Sequence, residues 1–441
     1  MKIVMLGIDT LRADHLSCYG CFRQTSPNID AIAADGFVFE DLFSVSNCTH
    51  PGFTAIFSGL YPESSGIVSH WSRVDPPDST RMLAEVLHDA HFVTAAVDNL
   101  YHGWETQHRL YPWFRKGYDI YEFHGRKLGH DPANIGRVCE LIAELADTDF
   151  FLFYHPWHPH SPYEPPPGCR IFEPPASGEI EKTIALYDAE IYFTDLEVGR
   201  IISALKQARI YDDTLIVITA DHGEIMGEER VVLGWKFNWG HIDLGDECIR
   251  VPLILRWPGK VPRGRSDALA QQPDILPTIA ELAGVQQPPD VDGTSLVPVM
   301  QEGAPGRETV HFIENTYQKK RGIRTRTHKF MRHGQPEMSS VVRRELYDLQ
   351  ADPLEQFNEV ERAPEIAREL EAIMDRWVAE MLAKAGRDSD PLFEQETTAY
   401  HLPMAEVTEE RRLSQVYDFA SRRLPAAAEP EAESPGPMQA V

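Results

Sequence analysis

Along the first two-thirds of the chain, short apolar runs alternate with amphipathic stretches. "KIVMLGID" (2–9), "FVTAAVD" (92–98), "FFLFYH" (150–155), "TLIVITA" (214–220) and "VPLILRW" (251–257) are apolar at nearly every position, as strands buried on both faces are. Between them, "TRMLAEVLHDA" (80–90), "ANIGRVCELIAELAD" (133–147), a long segment over 179–208 and "PDILPTIAELAG" (273–284) read as helices, the last closed by Gly284. The alternation predicts an α/β fold with a large, mostly parallel sheet flanked by helices. From about Glu308 the texture changes. "TVHFIE", "GIRTRT", "HKFMRH" and "ELYDL" read as short strands joined by turns, and residues 364–386 as a helix, so a small C-terminal antiparallel sheet with a packed helix is expected. The domain reading is a catalytic domain over 1–305, an α+β subdomain over 306–385, an extension over 386–424 and a disordered tail over 425–441, rich in Pro, Glu and Ala.

In open α/β sheets, ligands collect beyond the carboxyl ends of the strands. There the strand over 2–8 delivers Asp9, and that over 214–220 delivers Asp221 and His222, with Gly223 permitting a tight turn. Carboxylates with an imidazole suit Zn, Mn or Fe. Either Asp alone reads equally well as a helix N-cap; the two together, with His222 attached, favour a metal site. The strand over 150–155 runs into "YHPWHPHSPYEPPPG", which sets His155, His158 and His160 among prolines and aromatics. That is either a stiff loop for an anion or a second metal, or a solvated surface loop. In "NCTHPGFTAIFSGLYP" the apolar spacing of Phe53, Ile56, Phe57 and Leu60 predicts a short buried helix from about Pro51, ending near Gly59. Thr49 then stands at the helix mouth, either as a nucleophilic hydroxyl beside a metal or simply as an N-cap. Cys48 is its neighbour, and the local pattern does not choose between them.

The order of several segments does. "IDTLRADHLSCYG", "SPNIDAIAADGFVFED", "THPGFTAIFSGLYPESSGI", "HPHSPYEPP", "ITADHGEIMGE", "GHIDLGDECIRVPLILRWPG" and "ELYDLQADPLEQFN" follow one another between Lys2 and Leu382. In this the chain resembles the sulfatase branch of the alkaline phosphatase superfamily, which implies an alkaline-phosphatase-like sandwich. Formylglycine sulfatases carry Cys-x-Pro-x-Arg; anchored on Pro51 and Ser58-Gly59, the resemblance puts Thr49 at the nucleophile position and Phe53 at that of the arginine. It implies Asp9, Thr49, Asp221 and His222 as metal ligands, with Thr10 where a second acid is usual. It further implies His160 and His241 as catalytic groups, and His158 and Lys236 on the substrate side, Lys236 reading equally well as a solvated loop lysine. The function it implies is cleavage of phosphodiester or phosphonate monoester bonds through a covalent Thr49 intermediate. The alternatives are a sulfuric ester hydrolase working without formylglycine and a phospho-group transferase. The cofactor implied is a divalent metal ion (Mn, Zn or Ca), one ion with room for a second.

Composition narrows the partners. With 68 acidic and 42 basic residues among 441, the formal charge is −26, which argues against nucleic acid or an anionic membrane and leaves a small anionic ester. The N-terminal apolar run, Ile3 to Ile8, is too short for a signal peptide, and no stretch approaches the roughly 18 to 20 apolar residues of a spanning helix. Six scattered cysteines fit a reducing cytoplasm, and "CYGC" (18–21) lacks a second pair to complete a zinc site. The segment Glu409–Arg422 is a candidate helix for homo-oligomer packing.

Overall fold

The computed structural model describes residues 1–70, 72–98, 100, 111–122, 132–172, 178–232, 235–334 and 344–397. Its strands are β1 (Lys2–Ile8), β2 (Phe37–Phe43), β3 (Val93–Val97), β4 (Ile120–Glu122), β5 (Phe150–Tyr154), β6 (Thr214–Ala220), β7 (Ile225–Val232), β8 (Trp235–Gly240), β9 (Arg250–Arg256), β10 (Gly264–Ser266), β11 (Ala270–Gln271), β12 (Val310–Glu314), β13 (Lys320–Arg324), β14 (His328–His333) and β15 (Arg344–Asp348). The helices are α1 (Pro27–Ala34), α2 (Thr49–Ser58), α3 (Pro62–Ser65), α4 (Leu83–Asp89), α5 (Pro132–Glu144), α6 (Glu179–Gln207), α7 (Asp246–Ile249), α8 (Ile275–Ala283), α9 (Val297–Glu302), α10 (Pro364–Lys384) and α11 (Pro391–Glu394).

The large sheet runs β10-β2-β9-β6-β1-β5-β3-β4, with β11 beside β2. At its centre β1 pairs in parallel with β5 and β6, and β5 with β3, so these strands are buried on both faces, as their unbroken apolar sequences require. The sheet is mostly parallel, as its sequence predicts, with one antiparallel strand among the parallel pairs. β9 is antiparallel to both β2 and β6, so the sheet is mixed. The reason is the connection: β6 reaches β9 through the β7–β8 hairpin and four-residue α7, without the long crossover helix that a parallel return needs.

The antiparallel sheet β12-β13-β14-β15 carries α10 on one face, where Ile323, Phe330 and Leu346 meet Ala367, Leu370 and Met374. Phe43, Leu244, Cys248 and Phe312 form a second cluster joining it to the large sheet. The Ile313 N–H donates to the Val45 carbonyl at 2.9 Å, which seats the end of β12 behind the segment leading into α2. The start of the C-terminal extension packs here too: Leu392 of α11 lies against Val68 and Ile313. Residues 398–441, including the candidate oligomer helix and the proposed tail, lie outside the described residues. No described helix is long and apolar enough to cross a membrane.

Candidate active site

The site is built by register. β1 and β6 align Ile8 with Ala220, so Asp9 and Asp221, one residue further on each strand, emerge side by side at the carboxyl edge. Backbone N–H groups of Thr10 (3.1 Å) and His222 (2.9 Å) both donate to Asp221 Oδ1. The His222 ring uses Nδ1 toward the Gly223 carbonyl at 2.8 Å, which fixes its tautomer and leaves the Nε2 lone pair facing the carboxylates. Ligand atoms of Asp9, Asp221 and His222 all lie within 4.8 Å of one another, and all three residues are buried. Both carboxylate oxygens of Asp9 and Oδ2 of Asp221 have no hydrogen-bond partner among the described residues. Two carboxylates buried so close together are costly without a cation; burial, outweighing His155 and two backbone N–H donors, pushes the Asp221 carboxyl up to about 6, and burial with nearby His241 takes the His222 imidazole down to about 3. The donor set therefore fits a divalent metal ion, with oxygen and imidazole ligands that accommodate Ca, Mn or Zn.

Thr49 meets this cluster from the other side. α2 starts at Thr49, two residues earlier than its sequence predicts, and all ten of its residues are buried. The N-cap is Cys48, in extended conformation and without a side-chain cap, so Thr49 is the first helical residue and not a cap. Its Oγ1 stands 3.4 Å from His222 Nε2, at the helix end whose free N–H groups favour an anion. Cys48 goes elsewhere: its Sγ lies 3.4 Å from both Ser46 Oγ and Thr316 Oγ1. Burial raises that thiol to about 12, which leaves it inert at neutral pH. Phe53 is wholly buried, its ring 5.7 Å from Phe57, 5.8 Å from Phe153 and 4.7 Å from His155. It is a core residue, so the arginine position of the family pattern contributes no charge here.

Of the remaining candidates, His160 and His241 belong to this cluster. The His241 ring is 4.4 Å from His222 and 5.5 Å from His160. Asn47, two residues before Thr49, donates from Nδ2 to the His241 carbonyl at 2.8 Å. Burial works against charging His241, but Glu224, 3.5 Å from its Nδ1, outweighs this and raises its pKa. Burial takes His160 the other way, down to about 3; its Nδ1 faces the Ser161 carbonyl at 2.7 Å and its ring lies 4.4 Å from Trp157. His158 does not join them. Its Nδ1 pairs with Glu190 of α6 and its ring meets Phe193 edge-on at 5.5 Å, which ties it to that helix. The backbone of Lys236 lies in β8 opposite Val231, while its side chain lies outside the described residues.

Two further histidines stand near the site: His155, which sequence reasoning left among the loop imidazoles, and His70, which it did not single out. His155 directly follows β5, next to β1, with Nε2 3.4 Å from Asp9 Oδ2 and Nδ1 2.9 Å from Asp98 Oδ1. Burial opposes its charge, but these two carboxylates prevail and raise it to about 10, so a cationic ring braces the ligand Asp9. The shared strand edge was a usable signal for it. For His70 there was none: its ring stacks on that of His50 at 4.4 Å, and its N–H donates to Thr316 Oγ1 at 3.0 Å, a contact supplied by the C-terminal sheet.

Comparison with known proteins gives the family and the fold. Residues 2–285 match the family model described as Sulfatase, and residues 239–382 one described as N-sulphoglucosamine sulphohydrolase, C-terminal. The chain is 23% identical over 507 residues to an N-acetylglucosamine-6-O-sulfatase of Bacteroides thetaiotaomicron, covering 88% of this chain and 87% of that protein. It is 26% identical over 432 residues to arylsulfatase A of Homo sapiens, covering 81% and 83%. In three dimensions, the phosphonate monoester hydrolase of Agrobacterium radiobacter superposes with a TM-score of 0.71 at 20% identity, over 87% of this chain and 96% of that one. That likeness establishes the shared fold.

Proposed function

The chain belongs to the sulfatase family of the alkaline phosphatase-like superfamily, and from that premise we propose that it hydrolyses sulfuric esters with Thr49, in place of a formylglycine, receiving the sulfuryl group. One observation carries the reading: Thr49 Oγ1 faces the Asp9–Asp221–His222 cluster at 3.4 Å from His222, while the neighbouring thiol is turned into Ser46 and Thr316. Reasoning from the nucleophile alone ranks phosphorus esters first. The curated relatives are sulfatases by name, and that supports putting sulfuric esters ahead.

Asp9, Asp221, His222 and the Thr49 hydroxyl are the groups that would hold the metal ion. Bound there, a divalent ion supplies Lewis-acid polarisation and a lowered pKa for a coordinated hydroxyl. The protein's own groups do the rest. Thr49 Oγ1, its proton released to solvent as the hydroxyl ionises, attacks sulfur as the bond from sulfur to the alcohol oxygen breaks, and free N–H groups at the start of α2 hold the sulfuryl oxygens. His241, steadied by Glu224 and Asn47, stands beside His222 to give the leaving oxygen its proton. A threonine sulfate cannot collapse to an aldehyde as a formylglycine hydrate can, so water must then attack sulfur. The bond from sulfur to Oγ1 breaks and sulfate departs. His160, with Nδ1 facing the Ser161 carbonyl, takes the proton from that water and passes it on to Oγ1, which restores the hydroxyl.

A second reading, a phosphodiester or phosphonate monoester as substrate, is favoured by the plain hydroxyl nucleophile and by the phosphonate monoester hydrolase among the structural neighbours. These esters carry one negative charge, as a sulfate ester does. The test is a matched set of 4-nitrophenyl esters (sulfate, phosphodiester, phenylphosphonate, phosphate monoester) with added Mn²⁺ or Ca²⁺. Fastest turnover of the sulfate, lost in Thr49→Ala, supports the first reading. Turnover of a phosphorus diester or phosphonate more than about tenfold faster than the sulfate supports the second. Activity that survives Thr49→Ala refutes both.

A further inference from the structure

Thr10 is the residue that the mechanism leaves out. It follows the ligand Asp9 directly, and its N–H donates to Oδ1 of the ligand Asp221 at 3.1 Å. It is fully buried, with φ at +52°, the left-handed region. For a β-branched residue that conformation costs roughly 1–2 kcal/mol, which glycine or asparagine would largely avoid. Two hydrogen bonds hold the backbone there: the one to Asp221, and one from the Tyr187 hydroxyl to the Thr10 carbonyl at 2.7 Å. The side-chain hydroxyl, by contrast, has no hydrogen-bond partner among the described residues. A buried hydroxyl left in that state costs a further 1–3 kcal/mol or so. A strained backbone and an orphaned oxygen thus coincide on one residue, beside two carboxylates that keep buried oxygens without a hydrogen-bond partner among the described residues.

We propose that Thr10 Oγ1 is a neutral oxygen donor of the metal centre, completing a set with Asp9, Asp221 and His222, and that the left-handed turn at Thr10 serves to present it. The proposal rests on the reading of those three residues as a metal site. It accounts for both costs at once, because an alcohol oxygen is an acceptable ligand for a hard divalent ion. It also has an electrostatic consequence. With Thr10 neutral, two carboxylates balance a divalent ion, so an incoming ester anion meets no surplus negative charge. That matters in a site where Phe53 supplies no arginine.

The test measures Mn²⁺ and Ca²⁺ affinity of the full chain by chelator competition, alongside the melting temperature of the metal-free protein. Thr10→Val keeps shape and branching, and so keeps the backbone strain, but removes the hydroxyl; Thr10→Ser keeps the hydroxyl. The expected result is affinity weakened about tenfold or more in Thr10→Val and unchanged within about threefold in Thr10→Ser, the scale on which groups around metal sites act. Without metal, Thr10→Val should melt no lower than Thr10→Ser, since the valine leaves no buried hydroxyl without a partner. Should Thr10→Val not fold, Thr10→Ala removes the same oxygen with less bulk. Wild-type affinity in the valine variant overturns the proposal, as does an equal loss in both variants. A wild-type protein that binds neither ion overturns the metal centre itself, which is a separate and distinguishable failure.

Discussion

Gly52 offers a strict test of how closely α2, which carries the proposed nucleophile, must approach Asp221. It lies in the first turn of α2, three residues after Thr49. A Cβ added there would stand 2.6 Å from the backbone oxygen of Asp221, and 3.1 and 3.2 Å from its carbonyl carbon and Cα. The first distance is about 0.8 Å inside the 3.4 Å at which ordinary contact begins. Neither side can yield cheaply. The Asp221 carbonyl is held by donors from Ser44 Oγ and Gln272 Nε2, both at 2.7 Å. Gly52→Ala therefore drives α2 and Thr49 away from Asp221 by something near that distance. A displacement approaching 1 Å in a reacting group costs on the order of 10²-fold in rate, about 2.7 kcal/mol of barrier. The overpacking itself should cost about 1–3 kcal/mol of stability. The assay is kcat/KM on the best ester of the panel, with thermal unfolding in parallel. Gly136→Ala is the control, a helical glycine in α5 with nothing within 4 Å of its missing Cβ, expected to gain roughly 0.5–1 kcal/mol at unchanged activity. If Gly52→Ala retains kcat/KM within about threefold of wild type, the argument that α2 is wedged against the ligand strand is wrong.

Metal removal should be visible without any substrate. At about 100 times its Kd, Mn²⁺ or Ca²⁺ should stabilise the protein by about 2.7 kcal/mol, an effect lost with EDTA and in Asp9→Ala; an equal melting shift in that variant would contradict the ligand assignment. A second prediction concerns pH. His311 stacks on Trp377 at 3.8 Å, and burial, with Arg307 and Arg321 nearby, lowers its pKa from 6.5 to about 3. Its ring stays neutral in the fold but charges in the unfolded chain. Its stabilising contribution is therefore whole above pH 6.5, falls as pH drops from 6.5 toward 3, and is flat below. Denaturant titrations of His311→Gln should show a shallower loss of stability than wild type across that window, and an identical slope would refute the assignment.

Much of the fold was readable because its central strands are apolar on both faces, which leaves a pattern that few other elements produce. β1, β5 and β6 were found within a residue, and with them the edge that carries Asp9 and Asp221. The direction of β9 was not readable, since "VPLILR" is equally apolar whichever way it runs; the missing crossover decided it. The β7–β8 hairpin was missed because "IMGEERVVLGWKFNWG" keeps neither strict alternation nor helical spacing. At the site, register against Pro51 chose Thr49 over Cys48, and the fold sets Thr49 Oγ1 3.4 Å from His222 Nε2, the position on which the proposed nucleophile role rests. It could not foresee that Cys48 would cap α2, or that His158 would turn to Glu190. His70 and Thr10 mark the limit: one depends on packing against Thr316, far along the chain, and the other on a backbone angle that no residue pattern announces.

The most direct test of the central claim is to catch the covalent intermediate. Wild type and His160→Ala, the latter slowed in the water step, would be mixed with the preferred ester, quenched in acid and mapped by peptide mass spectrometry. The account predicts a sulfuryl or phosphoryl group on Thr49, accumulating in His160→Ala, with Cys48 present as an unmodified thiol. A formylglycine at position 48, or the transferred group on any residue other than Thr49, would contradict it.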